Sequence, residues 1–215
     1  VGNTLKASRQ QISYEEILNL YQLENKLYTI QSTFSNLPLE ETLSQYKYEV
    51  VEAVKNGAEC IVITDDEAHK NNQYWIDPAL ITAIIHNGLV NAKLRRNCSI
   101  VLKTAAVRNL HDLMVMKGLG ADAINPHFLF GTISELETPE KIVKLYDVLN
   151  KGIEKVISTI GMHELRGYAK MFSSIGLQED ITSSLGVINF FGDQTVSGFK
   201  LLEADSKKRS EDYNA

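Results

Sequence analysis

Cysteine is almost missing from this chain. There are two in 215 residues, Cys60 and Cys98, and they lie far apart. A disulfide framework needs more of them, and a zinc or cluster site needs closely spaced pairs, so neither is expected. Each sits in or beside an apolar run and reads as a buried reduced thiol. Basic excess is missing too. With 22 Lys and Arg against 27 Asp and Glu the formal charge is −5, and no basic run is long enough to make a nucleic-acid surface. No apolar run approaches the ~18 residues of a membrane span, and no signal peptide is recognisable, so the expected setting is the cytoplasm. His69, His86, His111 and His163 are scattered without ligand spacing. A glycine-rich phosphate loop is also absent. The "GLG" of 118–120 follows a helix and precedes a strand, the reverse of a dinucleotide fingerprint, so Gly118 and Gly120 read as helix C-caps. "SSLGVINFFG" (183–192) has no phosphate-loop spacing either.

What remains is an ordinary globular chain, long enough for one sizeable domain that buries a core without metal or disulfide staples. Its pattern is alternating. Ser13 and Glu16 form a capping box before a short helix, and "LYTIQSTF" (27–34) reads as a strand or an extended arm. From Pro38 an apolar stripe of Leu39, Leu43, Tyr46, Val50, Val51 and Val54 predicts a helix ending at Gly57. "ECIVITDD" (59–66), "SIVLKTA" (99–105) and "DAINPHF" (122–128) read as buried parallel strands. Between them come "IDPALITAIIHNGLV" (76–90), with Asp77 as N-cap and Pro78 at N1, and "RNLHDLMVMKGLG" (108–120), both helical. Helix and strand in strict alternation predict an α/β fold: a short, mostly parallel sheet flanked by helices, of Rossmann-like or half-barrel topology.

After Phe130 the alternation stops. Thr138-Pro139 opens a long amphipathic helix, Gly161 ends it, and a second helix is expected from Met162 to Ile175, an αα C-terminal extension. The expected division is an N-terminal arm (1–35), a central α/β domain (36–135), a helical extension (136–192) and a disordered charged tail (193–215).

Ligands in open α/β sheets sit beyond the carboxyl ends of the strands. Here those ends carry Asp65, Asp66, Lys103 and Asn125, with Thr104 and His127 beside them. The set has the chemistry to hold magnesium, activate a water or, through Lys103, form a Schiff base. Strand ends equally need polar side chains to cap turns, and that reading assigns Asp65 and Asp66 to turn or helix caps and His127 to a turn. Arg108 and Lys103 together form a candidate anion site near a helix start.

Four blocks, "AVKNGAECIVITDD", "IDPALITAIIHNGLV", "SIVLKTAAVRNLHDLMVMKGLGADAINPHF" and "KGIEKVISTIGMHELRGYAKMFSSIGL", follow one another in the order and spacing of a region of the glutamate synthase large subunit. Over about residues 30 to 192 the chain resembles that family's central domain and its junction with the FMN-binding domain. "GLGADAINPHF" (118–128) is the most specific block. Where the family usually has a Glu-Thr-Gly-Glu-Ala-Arg run, this chain keeps only Thr104 and Arg108, and Ile160-Gly161-Met162-His163 replaces a Met-Gly-Ile-Ser core.

The resemblance implies a division of labour. A glutaminase domain with an amino-terminal cysteine releases ammonia. An FMN barrel with an iron–sulfur cluster reduces the imine formed from 2-oxoglutarate. The central domain joins them and walls the ammonia path. It implies that this stretch is a scaffold with no catalytic, cofactor-binding or metal-binding residues of its own, and that its partners are the glutaminase and FMN-binding domains, with self-association through the apolar "GVINFF" run (186–191). Two alternatives stay open: a small self-contained phosphate- or metal-binding enzyme working at the strand ends, and an interaction module whose 139–175 helices dock a partner.

Overall fold

The short β-branched runs join with 27–31 into one sheet. The computed structural model describes residues 14–136, 139–170, 173–174, 176–190 and 196–215. In chain order the elements are α1 (Tyr14–Leu23), β1 (Leu27–Gln31), β2 (Thr33–Phe34), α2 (Leu39–Lys55), β3 (Cys60–Thr64), β4 (Tyr74–Trp75), α3 (Pro78–Asn91), β5 (Ser99–Lys103), α4 (Leu110–Leu119), β6 (Ala123–Asn125), α5 (His127–Leu136), α6 (Pro139–Thr159), β7 (Ser173–Ser174), α7 (Glu179–Leu185), β8 (Ile188–Asn189) and α8 (Gly198–Asn214). The main sheet is four-stranded, parallel throughout, in the order β1-β3-β5-β6. No strand order reverses along it, so the sheet has no doubly wound switch point and is of the half-barrel kind. Register carries Gln31, Thr64, Lys103 and Asn125 to one level at the carboxyl edge.

Alternation sorts the strand side chains onto two faces. Ile61, Ile63, Ile100 and Leu102 pack on α2, α3 and α4, through Leu43, Val50, Ile81, Ile85 and Leu119 among others. Cys60, Val62 and Val101 face the other way and are covered by Tyr14, Leu18 and Tyr21 of α1. The two cysteines are free and buried, but they belong to opposite faces. Asp77 accepts from Ala79 N at 2.8 Å and Pro78 stands at the first turn of α3, as the sequence predicts. Gly120 ends α4 with φ +125°, and a Cβ there would also strike the His86 ring. Gly152 of α6 lies so close to Leu110 that a Cβ would collide with it, and this lets α6 seat on α4.

The structure departs from the sequence expectation in three places. The run read as a strand over 122–128 pairs only over Ala123–Asn125, and α5 begins at His127. Residues 27–31 take the strand form of the two expected for 27–34, and their polar alternation comes from lying at the sheet edge, with only Ile30 buried. Among the described residues the expected second helix of the αα unit does not form: 162–170 is bend and coil around a 3-10 segment at Leu165–Gly167, and 173–174 pairs with β8. Tyr168 instead packs with Met114 and Ile157. The tail expected to be disordered contains α8. Its low apolar content hid a polar mode of docking. Glu203 accepts from Leu39 N at 3.0 Å, which caps α2 where Pro38 supplies no side-chain cap. Ser206 Oγ donates to Trp75 O, and Ser210 Oγ meets His69 Nδ1 at 2.7 Å. The expected cap Ser13 lies outside the described residues.

At the amino edge a clamp closes the sheet. Arg95 Nε donates to His86 Nδ1 at 3.0 Å, and its Nη atoms donate to Cys98 O at 2.8 Å, Gly120 O at 2.9 Å and Asp122 Oδ2 at 2.6 Å. Asp122 Oδ2 also accepts from Ile100 N at 2.8 Å. Burial, reinforced by Arg95 and Lys170, pushes the His86 imidazole down to about 4.

Two outcomes are expected. Phe199→Ala, which truncates a side chain only 7% exposed at the root of α8, should cost about 3 kcal/mol in urea unfolding and speed amide exchange across 200–213. A disordered tail would leave both unchanged. The depressed His86 means that the unfolded chain binds the extra proton between about pH 6.5 and 4, so stability should fall with pH through that window. His86→Asn should flatten that slope while leaving the fall below pH 4 in place.

Candidate functional site

At the carboxyl edge the sequence-selected residues fall into two clusters on opposite faces. Asp65, just past β3, is 8% exposed. Its Oδ2 accepts from Thr104 Oγ1 at 2.6 Å and Ala105 N at 3.0 Å, and His127 Nε2 lies 3.2 Å from Oδ1. Thr104 Oγ1 accepts in turn from Ala106 N at 3.0 Å, and Thr104 N donates to Asn125 O at 3.0 Å. Asp65 therefore ties the end of β3 to the turn after β5 and to the first residue of α5. Thr104, named by the sequence only as standing beside the strand-end set, is fully buried and is the partner that fixes Asp65. His127, expected to be a turn residue, opens α5 and reaches Asp65.

The second cluster lies on the α1 side. Lys103 follows Val101 onto that face, and its Nζ meets Asp66 Oδ2 at 2.7 Å. Burial pulls the Asp66 carboxyl up, but the Lys103 ammonium and the Thr64 hydroxyl outweigh it, and the net direction is down. The same Nζ stands 5.8 Å from the centre of the Tyr14 ring. Burial and the Asp66 charge push the Tyr14 phenol up to about 12. Asn125 contributes its backbone carbonyl to the edge.

Beside Asp65, on the helix side, opens a groove of about 740 Å³. Ala105, Ala106 and Arg108 line one wall, and His69, Trp75 and the Arg209 and Tyr213 side chains of α8 another. Lys103 does not line it, so the expected Lys103–Arg108 anion site is not formed. Four amides of this loop are already engaged: Ala105 N by Asp65, Ala106 N by Thr104, Arg108 N by Asp112 and Asp112 N by Asn109. Among the described residues no group of three or more His, Cys, Asp or Glu side chains is placed to hold a metal ion. A second groove, about 610 Å³ and mostly apolar, lies between α3, α4, α7 and α8, with Leu80, Val115, Leu119, Ile181 and Leu201 on its walls.

A parallel sheet in sequential strand order, with a groove at the strand carboxyl ends, is the architecture of part of a β/α barrel, and solved structures agree in fold. A flavocytochrome b2 mutant with benzoylformate matches 86% of this chain and 46% of that one, at TM-score 0.55 and 13% identity. The flavin-binding domain of baker's yeast flavocytochrome b2 matches 87% and 45% at TM-score 0.51 and 14% identity. These likenesses speak to the fold alone. The family is given by sequence: the profile of the glutamate synthase central domain matches residues 4–178, and the chain belongs to that family. The NADPH glutamate synthase large chain of Bacillus subtilis is 25% identical over 153 residues, 66% of this chain and 10% of that protein. Ferredoxin-dependent glutamate synthase 2 of Synechocystis is 26% identical over 194 residues, 80% of this chain and 12% of that protein. The NADH glutamate synthase of Schizosaccharomyces pombe is 28% identical over 141 residues, 60% and 7%. This chain thus spans about a tenth of the length of such relatives.

The pairings above set a test of Asp65. Asp65→Ala should cost about 3 kcal/mol in urea unfolding, because it strands the buried Thr104 hydroxyl and the Ala105 N–H. Lys103→Met should stay within about 1 kcal/mol, since its ion pair is partly solvated. Stabilisation by Asp65→Ala would instead mark a residue held for chemistry at a cost to the fold.

Proposed function

We propose that this chain is the interdomain scaffold of a glutamate synthase, forming part of the wall of the ammonia path and performing no catalysis alone. The observation that carries the reading is the internal closure of the carboxyl edge. Asp65, Asp66, Lys103 and the amides of Ala105, Ala106, Arg108 and Asp112, where a parallel sheet ordinarily meets its ligand, are spent on the chain's own groups. The parent reaction is glutamate formation from 2-oxoglutarate and glutamine-derived ammonia, with a glutaminase domain and an FMN-binding domain as partners in a cytoplasmic setting. No helix among the described residues is long and apolar enough to cross a membrane. The relatives' names include NADPH, NADH and ferredoxin, so the electron donor is not part of the proposal.

FMN and an iron–sulfur cluster belong, in this reading, to the rest of the parent enzyme. The residues here do not fit either group. An FMN phosphate needs donors, and two of the amides around the start of α4, those of Arg108 and Asp112, are occupied by the chain's own side chains. A cluster needs converging thiolates, and Cys60 and Cys98 are buried on opposite faces. One observation favours the second reading, a small enzyme working at the strand ends: Asp65 orients the His127 ring at the edge of the sheet. Among the described residues no second side chain is hydrogen-bonded to that ring to complete a reaction centre.

The proposed interdomain role also implies uncovered surface. Phe190 is 68% exposed and Ile188 64%, and self-association through this run is part of the proposal. Phe191 lies outside the described residues. Titration with FMN should leave flavin fluorescence unchanged at micromolar concentrations, and sedimentation should show concentration-dependent association that Phe190→Asp weakens. Stoichiometric flavin binding would overturn the scaffold reading, and a strict monomer at high concentration would remove the self-association.

A further inference from the structure

The groove at the carboxyl edge supports more than a closed scaffold. We propose that it binds a small carboxylate with a planar body, held between Arg108 and Arg209, and that the bound ligand ties α8 to the loop that opens α4. At about 740 Å³ the groove is within the range of small-molecule sites, and it lies where parallel sheets bind ligands.

The donors are the two guanidinium groups. Arg108 holds Asp112 through Nε at 3.4 Å, and Arg209 holds Asp205 through Nε at 2.7 Å. Neither arginine's Nη atoms have a hydrogen-bond partner among the described residues, so each keeps two unused donor atoms on a side chain lining the groove. The carboxylates on the same walls are engaged: Asp65 by Thr104 and Ala105, Asp112 by Arg108, and Asp77 by Ala79 N, with burial pushing Asp77 up. His69, His111 and Tyr213 complete the titratable lining.

Two features select the ligand class. The amides of Ala105, Ala106, Arg108 and Asp112 are occupied, and recognition is assigned to the guanidinium forks, whose geometry matches a planar carboxylate in bidentate fashion. The walls also carry ring faces. Trp75 lies under Arg209, 5.5 Å from ring centre to guanidinium, and Tyr213 stacks on His69 with centroids 5.4 Å apart. A flat body fits such walls better than a tetrahedral oxyanion.

The consequence for α8 follows from how that helix is held. At the groove its contacts are polar or aromatic: Ser206 to Trp75 O, and Ser210, Tyr213 and Asn214 to His69. A ligand shared by Arg209 and Arg108 adds a bond between α8 and the body that the chain otherwise lacks, and it stabilises the docked helix by linkage. This inference does not rest on the scaffold reading, since binding here requires no turnover.

The test is calorimetric titration of the full chain with benzoate, with benzamide as the uncharged ring of the same shape, and with inorganic phosphate. Hydrogen exchange is followed across 198–214. Benzoate should give a saturable heat, bind at least about tenfold more tightly than benzamide or phosphate, and slow exchange in α8. Arg108→Gln and Arg209→Gln should each weaken benzoate about tenfold while leaving ligand-free unfolding unchanged, since these side chains are 78% and 57% exposed. Absence of a saturable benzoate heat overturns the proposal. So does equal binding of benzamide or phosphate, or benzoate affinity that survives in both variants. Flavin binding and association state, which test the scaffold reading, are unaffected by either result.

Discussion

Burial of β3 and β5 on both faces is the constraint on which the rest of the structure depends. A parallel pair cannot leave one face to water as a hairpin sheet can, so each side needs its own cover. Helices α2, α3 and α4 supply it on one side, and α1 on the other. The nearly all-round apolar character of α3 follows directly, because it packs against α2, α4, α7 and the amino end of β5 together. The amphipathic α2 needs only one apolar stripe, because its far side meets solvent.

The two edges of the sheet are then finished differently. The amino edge is stapled by Arg95, whose guanidinium spans α3, the approach to β5 and the approach to β6. This is an arrangement for stability, with a histidine kept neutral so that its lone pair can accept from Arg95. At the carboxyl edge Asp65 organises a turn, and α8 closes a groove over the result. Such an edge combines rigid backbone with mobile-length side chains at its rim. That leaves the Arg108 and Arg209 side chains on the lining of the groove.

A chain spanning about a tenth of its relatives has surfaces that its own packing does not explain. Phe190 and Ile188 are among them, as are Val143 and Val148 on α6. Val143 and Val148 lie beyond the main sheet, and Ile188 and Phe190 lie in and just after β8. The half-barrel likewise matches under half of the flavin proteins it resembles. Both facts are consistent with a unit built to be one layer of something larger.

The sequence by itself determined the sheet strands 60–64, 99–103 and 123–125, the helices between them, the Asp77-Pro78 start and the Gly120 stop. Each is set by local rules, a short β-branched run or a cap, that do not depend on distant partners. It also contained the family, through blocks in register, and the polar residues of the carboxyl edge as a set. Tertiary structure alone decided how that set divides. Lys103 and Asp66 went to the α1 face, while Asp65 went to Thr104 and His127, because alternation along β3 and β5 sends neighbouring residues to opposite sides. Tertiary structure also decided the fate of 27–31 and of 198–214. An edge strand and a polar helix carry too little apolar pattern to be read alone, and both are ordered by partners far away in sequence: β3 for the first, and Leu39, His69 and Trp75 for the second.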